Sequence, residues 1–526
     1  MNGATVPPAD TAVAEVGQEI GQIARGAGLG LVGNGINTAV TYLFGILIAR
    51  QIGAEAFGLY TLGVTAVTLA SRFTVAGLDR GLMRYASISR GQGQVLALRR
   101  LSLGALLLGT GTGMAAALWF GLAPATVLRT LRWDDQTALI PLLRHLAPAL
   151  PALTLIGVAI AGTQAFRTMR YRVLVVNIIQ PLVRLGLALL LVALMGATAL
   201  APTLAFTLTQ LVGLGLALFF LARLIGQMPS SGAVAASGGG IGRLVRFSLP
   251  LSLSNVLDYL NGRTELLVLG MFLAAGTAGI YNAAGRLAAL GLFALTAFNA
   301  IFAPVISDLH HRHEWQRLGT LYKLVTRWTL VVAMPVLILQ IAFAPALMAL
   351  FGPDFVVGAT ALRLLSLGQL VNLATGAVGV MLIMTGRSLL TLVNSVLMVG
   401  GALLLDFLLV PRWGLNGAAL AGSLAIAGIN LVRLGQVWWL FRLHPFARSQ
   451  LKTVVAAVPA ALVAMAWTRW SSWQGELNLA VACASVCLVY GLALSRLGFD
   501  EADRLFLRMV LRRRRLGPGR VATGRS

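Results

Sequence analysis

Apolar runs of about 20 residues recur along nearly the whole of this chain, each long enough to cross the hydrocarbon core of a bilayer. That repetition constrains the fold more than any other feature. Backbone exposed to lipid must satisfy its own hydrogen bonds, so only helices or a closed barrel can span. The runs lack the strict alternation of barrel strands, which leaves helices. Charged residues make up only 11% of the 526, against about 25% in soluble domains. The fold class read from this is an all-α integral membrane protein.

Fourteen spans are expected, at approximately 31–52, 57–78, 95–122, 140–165, 172–195, 201–222, 245–273, 277–306, 322–351, 359–385, 388–410, 414–441, 452–469 and 477–495. Pro148 and Pro151 interrupt the fourth, so a kink is expected there. Arginines fall in every second connection: Arg80, Arg84 and Arg90 after the second span, Arg167, Arg170 and Arg172 after the fourth, Arg312 and Arg317 after the eighth. Positive charge collects on the cytoplasmic side, so both termini are expected there. The same rule accounts for the formal charge of +24 without nucleic acid.

The chain divides into a cytoplasmic N-terminal tail (1–30), a first lobe (31–225), a linker (226–244), a second lobe (245–441), two added helices (452–495) and a basic tail (496–526). The tail at 1–30 has neither the basic start nor the early apolar core of a secretory signal. The linker contains Ser237-Gly238-Gly239-Gly240, a flexible composition. Two pseudo-symmetric six-helix lobes are expected because the stretch from Asn34 to Tyr85 returns from Asn255 to Asp308. At one constant offset Asn34 matches Asn255, Gly58 matches Gly279, Tyr60 matches Tyr281, Leu69 matches Leu290 and Ala76 matches Ala297. A repeat of this length fits a two-lobed transporter, with a polar cavity between the lobes, better than a solenoid.

Ionisable groups within a span are costly and mark cavities or pathways. Asn34 and Asn37 lie in the first span, Arg72 and Asp79 in the second; Asn255, Asp258, Asn261, Arg263 and Glu265 lie in the seventh, Arg286 and Asn299 in the eighth. Lesser sites are Arg184, Arg363, Gln369, Asp406, Asn430 and Arg433. Arginine holds phosphate oxygens in pairs and stays charged when desolvated, so Arg72, Arg263 and Arg286 are the candidate anion ligands. Asn34, Asn255 and Asn299 are candidates for sugar hydroxyls. Asp79, Asp258 and Glu265 are candidates for a coupling proton or sodium ion; Asp258 and Glu265, two helical turns apart, are expected on one face. No cofactor or metal is expected. His310, His311 and His313 read as a solvated loop, and Cys483 with Cys487 as buried thiols. No nucleotide-binding loop, catalytic triad or zinc-protease motif occurs, so an enzyme is not expected.

The run Ile48-Ala49-Arg50-Gln51-Ile52-Gly53-Ala54-Glu55-Ala56-Phe57-Gly58-Leu59-Tyr60, followed by Gly77-Leu78-Asp79-Arg80-Gly81-Leu82-Met83-Arg84-Tyr85, resembles the bacterial polysaccharide-biosynthesis flippases. Phe351-Gly352-Pro353-Asp354-Phe355 and Thr385-Gly386-Arg387 are similar to the same family, whose superfamily also holds multidrug exporters and flippases of peptidoglycan precursors. The resemblance covers spans one to twelve. It implies two six-helix bundles in a V around a cationic cavity, with functional arginines in spans one, two, seven and eight. It implies as cargo an undecaprenyl-diphosphate-linked oligosaccharide, moved to the periplasmic leaflet. Membrane lipid and polysaccharide polymerase or export machinery are the further expected partners. A multidrug cation antiporter is the runner-up, and a non-transporting scaffold for glycan assembly is the third reading.

Overall fold

A computed structural model describes residues 9–133, 136–228, 240–470 and 476–497, and among these the regular structure is entirely helical. Ten helices are long and apolar enough to cross a membrane, eleven if one bent pair is joined, rather than fourteen. The protein is a multi-pass membrane protein. The difference in count has physical causes. Expected spans one and two both lie in α1 (Ala9–Val75), as two helical arms on either side of a break at Gly53, whose φ of 79° and ψ of 172° suit only glycine, so that a count by continuous helix takes them as one. The helix already runs from Ala9, within the stretch expected as tail. The basic tail and most of the linker fall outside the described residues.

The first of two compact units comprises Met1–Ala283 with Leu350–Phe355. After α1, Ala76 and Gly77 take left-handed backbone (φ 45° and 72°), which separates α2 (Leu78–Gly91). A side chain on Gly77 would strike the Ser248 carbonyl, so glycine also serves a close approach there. Next come α3 (Val95–Leu122), α4 (Pro124–Leu131), α5 (Leu139–Leu146) and α6 (Ala149–Gln164). α5 and α6 meet at 41°, the kink expected from Pro148 and Pro151. α7 (Arg170–Arg172) runs through a π-helical stretch, Val173–Ile179, into α8 (Gln180–Met195), and α9 (Leu200–Gly226) follows. Then α10 (Ile241–Leu260) and α11 (Thr264–Phe272) replace the expected seventh span, and α12 (Ala275–Ala289) begins the eighth. Asn261-Gly262-Arg263 separates α10 from α11, with Arg263 at φ −143°, ψ 0°.

Small residues set the helix contacts, as expected where lipid gives no hydrophobic drive between helices. Gly109 and Gly113 of α3 lie against Thr154 and Pro151 of α6. The Thr74 and Thr154 hydroxyls are 2.6 Å apart, and Thr112 donates to the Thr74 carbonyl at 2.8 Å. Bulky residues such as Leu107 and Leu122 are exposed on α3, facing outward as lipid contacts should.

The two copies of the sequence repeat meet inside this unit. A Cβ on Gly58 would overlap the Ala275 carbonyl, and one on Gly279 would crowd the Ala54 carbonyl and Gly58. The offset that pairs these glycines also pairs Thr61 with Asn282, and the Asn282 amide donates to the Thr61 hydroxyl at 3.2 Å. Equivalent residues thus touch each other, the signature of a local pseudo-twofold. Trp133, fully buried, donates from Nε1 to the Leu267 carbonyl at 2.9 Å and covers Gly270. Phe355 packs edge-on against Phe57 at 6.0 Å, which joins two of the stretches that carry the sequence resemblance.

The second unit comprises Ala284–Ala349 and Val356–Ser526. Its helices are α13 (Leu292–His311), α14 (Trp315–Ala342), α15 (Ala344–Ala349), α16 (Ala359–Thr375), α17 (Val378–Met384), α18 (Ser388–Phe441), α19 (Arg448–Trp470) and α20 (Glu476–Leu497). Expected span ten is broken at Gly376 (φ 66°) into α16 and α17, and spans eleven and twelve are the two arms of α18 on either side of a break at Gly414. α19 and α20 pack against α14 through Ala456, Ala460, Ala464 and Val486. Cys483 and Cys487 are free, the first half-buried and the second exposed, so neither is the buried thiol expected. The His310 ring lies edge-on to Trp315.

Candidate functional site: a cationic cavity within the first unit

Folding at Gly53 and breaking at Gly77 bring the second arm of α1 and the start of α2 beside α6. The π-helical stretch and the end of α10 complete the wall. Together they enclose a cavity of about 900 Å³. Both repeat copies contribute. Arg72, Asp79 and Arg80 come from the first, Asn255, Asp258, Tyr259 and Arg263 from the second. α6 adds Gln164, and α7 adds Arg172 at the entry to the π-helical stretch. A π-turn widens a helix locally and recurs at functional positions.

Four guanidiniums face two carboxylates in this lining. Arg80 pairs with Asp258 at 3.3 Å, both partly exposed. The Asp79 carboxylate sits at the first turn of α2, where the helix dipole favours it, and accepts from the Asn255 amide at 3.4 Å. The Arg72 guanidinium lies over the Tyr259 ring, 5.6 Å from its centre, while the Tyr259 hydroxyl donates to the Thr65 carbonyl at 3.2 Å. Arg72, Arg172 and Arg263 make no ion pair among the described residues. Arg72 and Arg172 are exposed to the cavity and Arg263 partly so. Unpaired guanidiniums in a wet, low-dielectric cleft attract an anion, and each offers a planar fork of donors.

The remaining candidates lie elsewhere. Asn34 accepts a hydrogen bond from the Asn177 amide at 2.7 Å, outside the cavity lining. Glu265 is buried in α11, also outside it. The turn at 261–263 breaks the helical period, so Asp258 and Glu265 do not share a face of one helix; this corrects the expectation from their spacing. Arg286 belongs to the part of α12 in the second unit. Asn299 lines a separate cavity of that unit, with Asn430 and Arg433. Arg184 lies over the Phe44 ring at 4.9 Å, and Arg363 donates to the Ile341 carbonyl at 3.0 Å. Arg80 and Arg172 were expected as loop charges and prove to be cavity residues as well. Their signal was position: both sit within one turn of a helix start.

Residues 47–355 match the model of a family described as polysaccharide biosynthesis protein. The chain belongs to that family. Over 174 residues it is 26% identical to the capsular polysaccharide biosynthesis protein CapF of Staphylococcus aureus. That match spans 33% of this chain and 44% of CapF, less than half of the relative. The fold is that of the lipid II flippase MurJ in an inward closed conformation (TM-score 0.71, 14% identity), covering 91% of this chain and 99% of MurJ. It is also similar to an inward-facing multidrug resistance MATE family transporter of the MOP superfamily (TM-score 0.62, 16% identity), over 77% of this chain and 94% of that one. Identities this low speak for fold alone. The family placement fits a role in polysaccharide biosynthesis at the membrane.

Proposed function

We infer that this member of the polysaccharide biosynthesis family is a flippase for a polyprenyl-diphosphate-linked oligosaccharide. It moves the cargo from the cytoplasmic to the periplasmic leaflet of the bacterial inner membrane, with both chain termini cytoplasmic. The observation that carries this reading is the group Arg72, Arg172 and Arg263, three guanidiniums without ion pairs lining one cavity. The diphosphate enters this cavity, amides such as Asn255 meet sugar hydroxyls, and the polyprenyl tail stays in lipid. Rocking between inward and outward states follows only if a ligand binds the two states differently. Asp258, already paired with Arg80, and Glu265 are the proposed sites for a coupling proton or sodium ion. Polysaccharide polymerase or export machinery is the proposed downstream partner.

An organic cation would meet more positive than negative side chains here, which disfavours the antiporter reading. A scaffold would not need the cavity charges at all. Cells carrying Arg263→Ala or Arg72→Ala in place of the native protein test these readings. Loss of surface glycan with the protein still present in the membrane at the native level is expected. Normal glycan in both strains would favour the scaffold.

A further inference from the structure

The second unit holds its own cavity, of about 240 Å³, close to the room one monosaccharide needs. Its polar lining is chemically unlike that of the first. Asn299 from α13, Asn372 from α16, and Asn394, Asn430 and Arg433 from α18 converge there, and no carboxylate takes part. The break at Gly376 sets α17 aside from the line of α16, and Gly379 on α17 leaves room beside Arg433, whose Nη1 lies 3.6 Å from where a Cβ would stand.

The hydrogen bonds within the wall decide what the cavity can offer. Asn394 and Gln436 exchange reciprocal amide bonds of 2.7 and 2.9 Å, so Asn394 is a fixed wall. Asn430 donates to the Ile426 carbonyl at 2.8 Å and Asn372 donates to Gln369 at 3.0 Å. Those bonds use amide nitrogens and leave both amide oxygens as acceptors. The Asn299 amide oxygen is buried with no hydrogen-bond partner among the described residues. Arg433, half-buried in an otherwise neutral wall, makes no ion pair among them either. Such a group is costly in a membrane span unless something anionic meets it.

Three amide acceptors call for hydroxyl donors, and one guanidinium calls for an acid group. We propose that this cavity binds a single acidic sugar, a hydroxylated ring bearing a carboxylate that Arg433 holds in bidentate fashion while Asn299 and Asn430 accept from its hydroxyls. The inference stands apart from the reading of the first cavity, because it rests on different residues of a different unit. It adds a substrate class: glycans containing uronic-acid-type units.

The test is a calorimetric titration of the purified full chain in detergent with glucuronate, glucose and inorganic phosphate. It is repeated in an Arg72→Gln/Arg263→Gln protein, so that binding in the first cavity does not contribute. Glucuronate is expected to bind at least about tenfold more tightly than glucose, a typical return for a charge-assisted bidentate pair, and to do so in both proteins. Arg433→Gln should remove that preference, and Asn299→Leu should weaken glucuronate while leaving phosphate unchanged. Equal affinity for glucose and glucuronate in the wild-type chain would overturn the proposal. So would phosphate binding as tightly as glucuronate in the Arg72→Gln/Arg263→Gln protein, which marks a simple anion site, or loss of glucuronate binding in that protein. The ligand comparison in the Arg72→Gln/Arg263→Gln protein decides the matter even if Arg433→Gln does not fold.

Discussion

Gly58 and Gly279 do the same thing from opposite sides: each removes a Cβ that would collide with backbone of the other copy. Gly58→Val should therefore cost more than a surface change, about 1–3 kcal/mol for overpacking a closed contact. A fall in the melting temperature of the detergent-solubilised protein, relative to Gly215→Val on an open face, measures it. Tyr259 serves two roles, a ring under Arg72 and a hydroxyl on the Thr65 carbonyl. Tyr259→Phe keeps the ring and loses a bond worth about 1 kcal/mol, whereas Tyr259→Leu also loses the cation–π contact, worth roughly 0.5–2 kcal/mol. The expected order of cargo affinity is wild type, then Phe, then Leu; equal affinities would mean that the ring does not position Arg72.

At the scale of elements, the informative features are breaks. Asn261-Gly262 ends α10 so that Arg263 faces the cavity rather than continuing a helix. Replacing both with alanine favours a continuous helix, by about 1 kcal/mol for the glycine alone. The expected result is a rise in helix content by circular dichroism together with loss of cargo binding. Unchanged binding would show that the turn does not set the position of Arg263. Why some of this was legible in the sequence and some was not follows from the same elements. Arg72, Asp79, Asn255, Asp258 and Arg263 stood out because an apolar background makes each polar residue conspicuous. Arg80 and Arg172 were hidden because cytoplasmic arginines at span ends already have an explanation. The grouping of Asp258 with Glu265 failed because spacing assumes an unbroken helix, and the three-residue turn at 261–263 shifts every later side chain. Breaks inside a span were hidden likewise: hydropathy separates two spans at Gly53 and at Gly414, where the helices do break, but gives no sign of the breaks at Asn261–Arg263 and Gly376.

At the scale of the whole molecule, internal repetition builds the candidate cavity. Weak sequence identities at one offset correspond to a physical meeting of equivalents, Thr61 with Asn282 and Gly58 with Gly279. Both copies supply guanidiniums to the same cavity, which neither could build alone. The most direct test is transfer of a polyprenyl-diphosphate-linked oligosaccharide across proteoliposomes holding wild-type or Arg72→Gln/Arg263→Gln protein, followed by enzymatic access to the sugar from outside. Transfer by the wild type, with the double variant falling to the rate of empty vesicles at equal protein content, is the expected result. Equal transfer by both proteins would contradict the account, because the cavity charges would then have no part in moving the anionic headgroup.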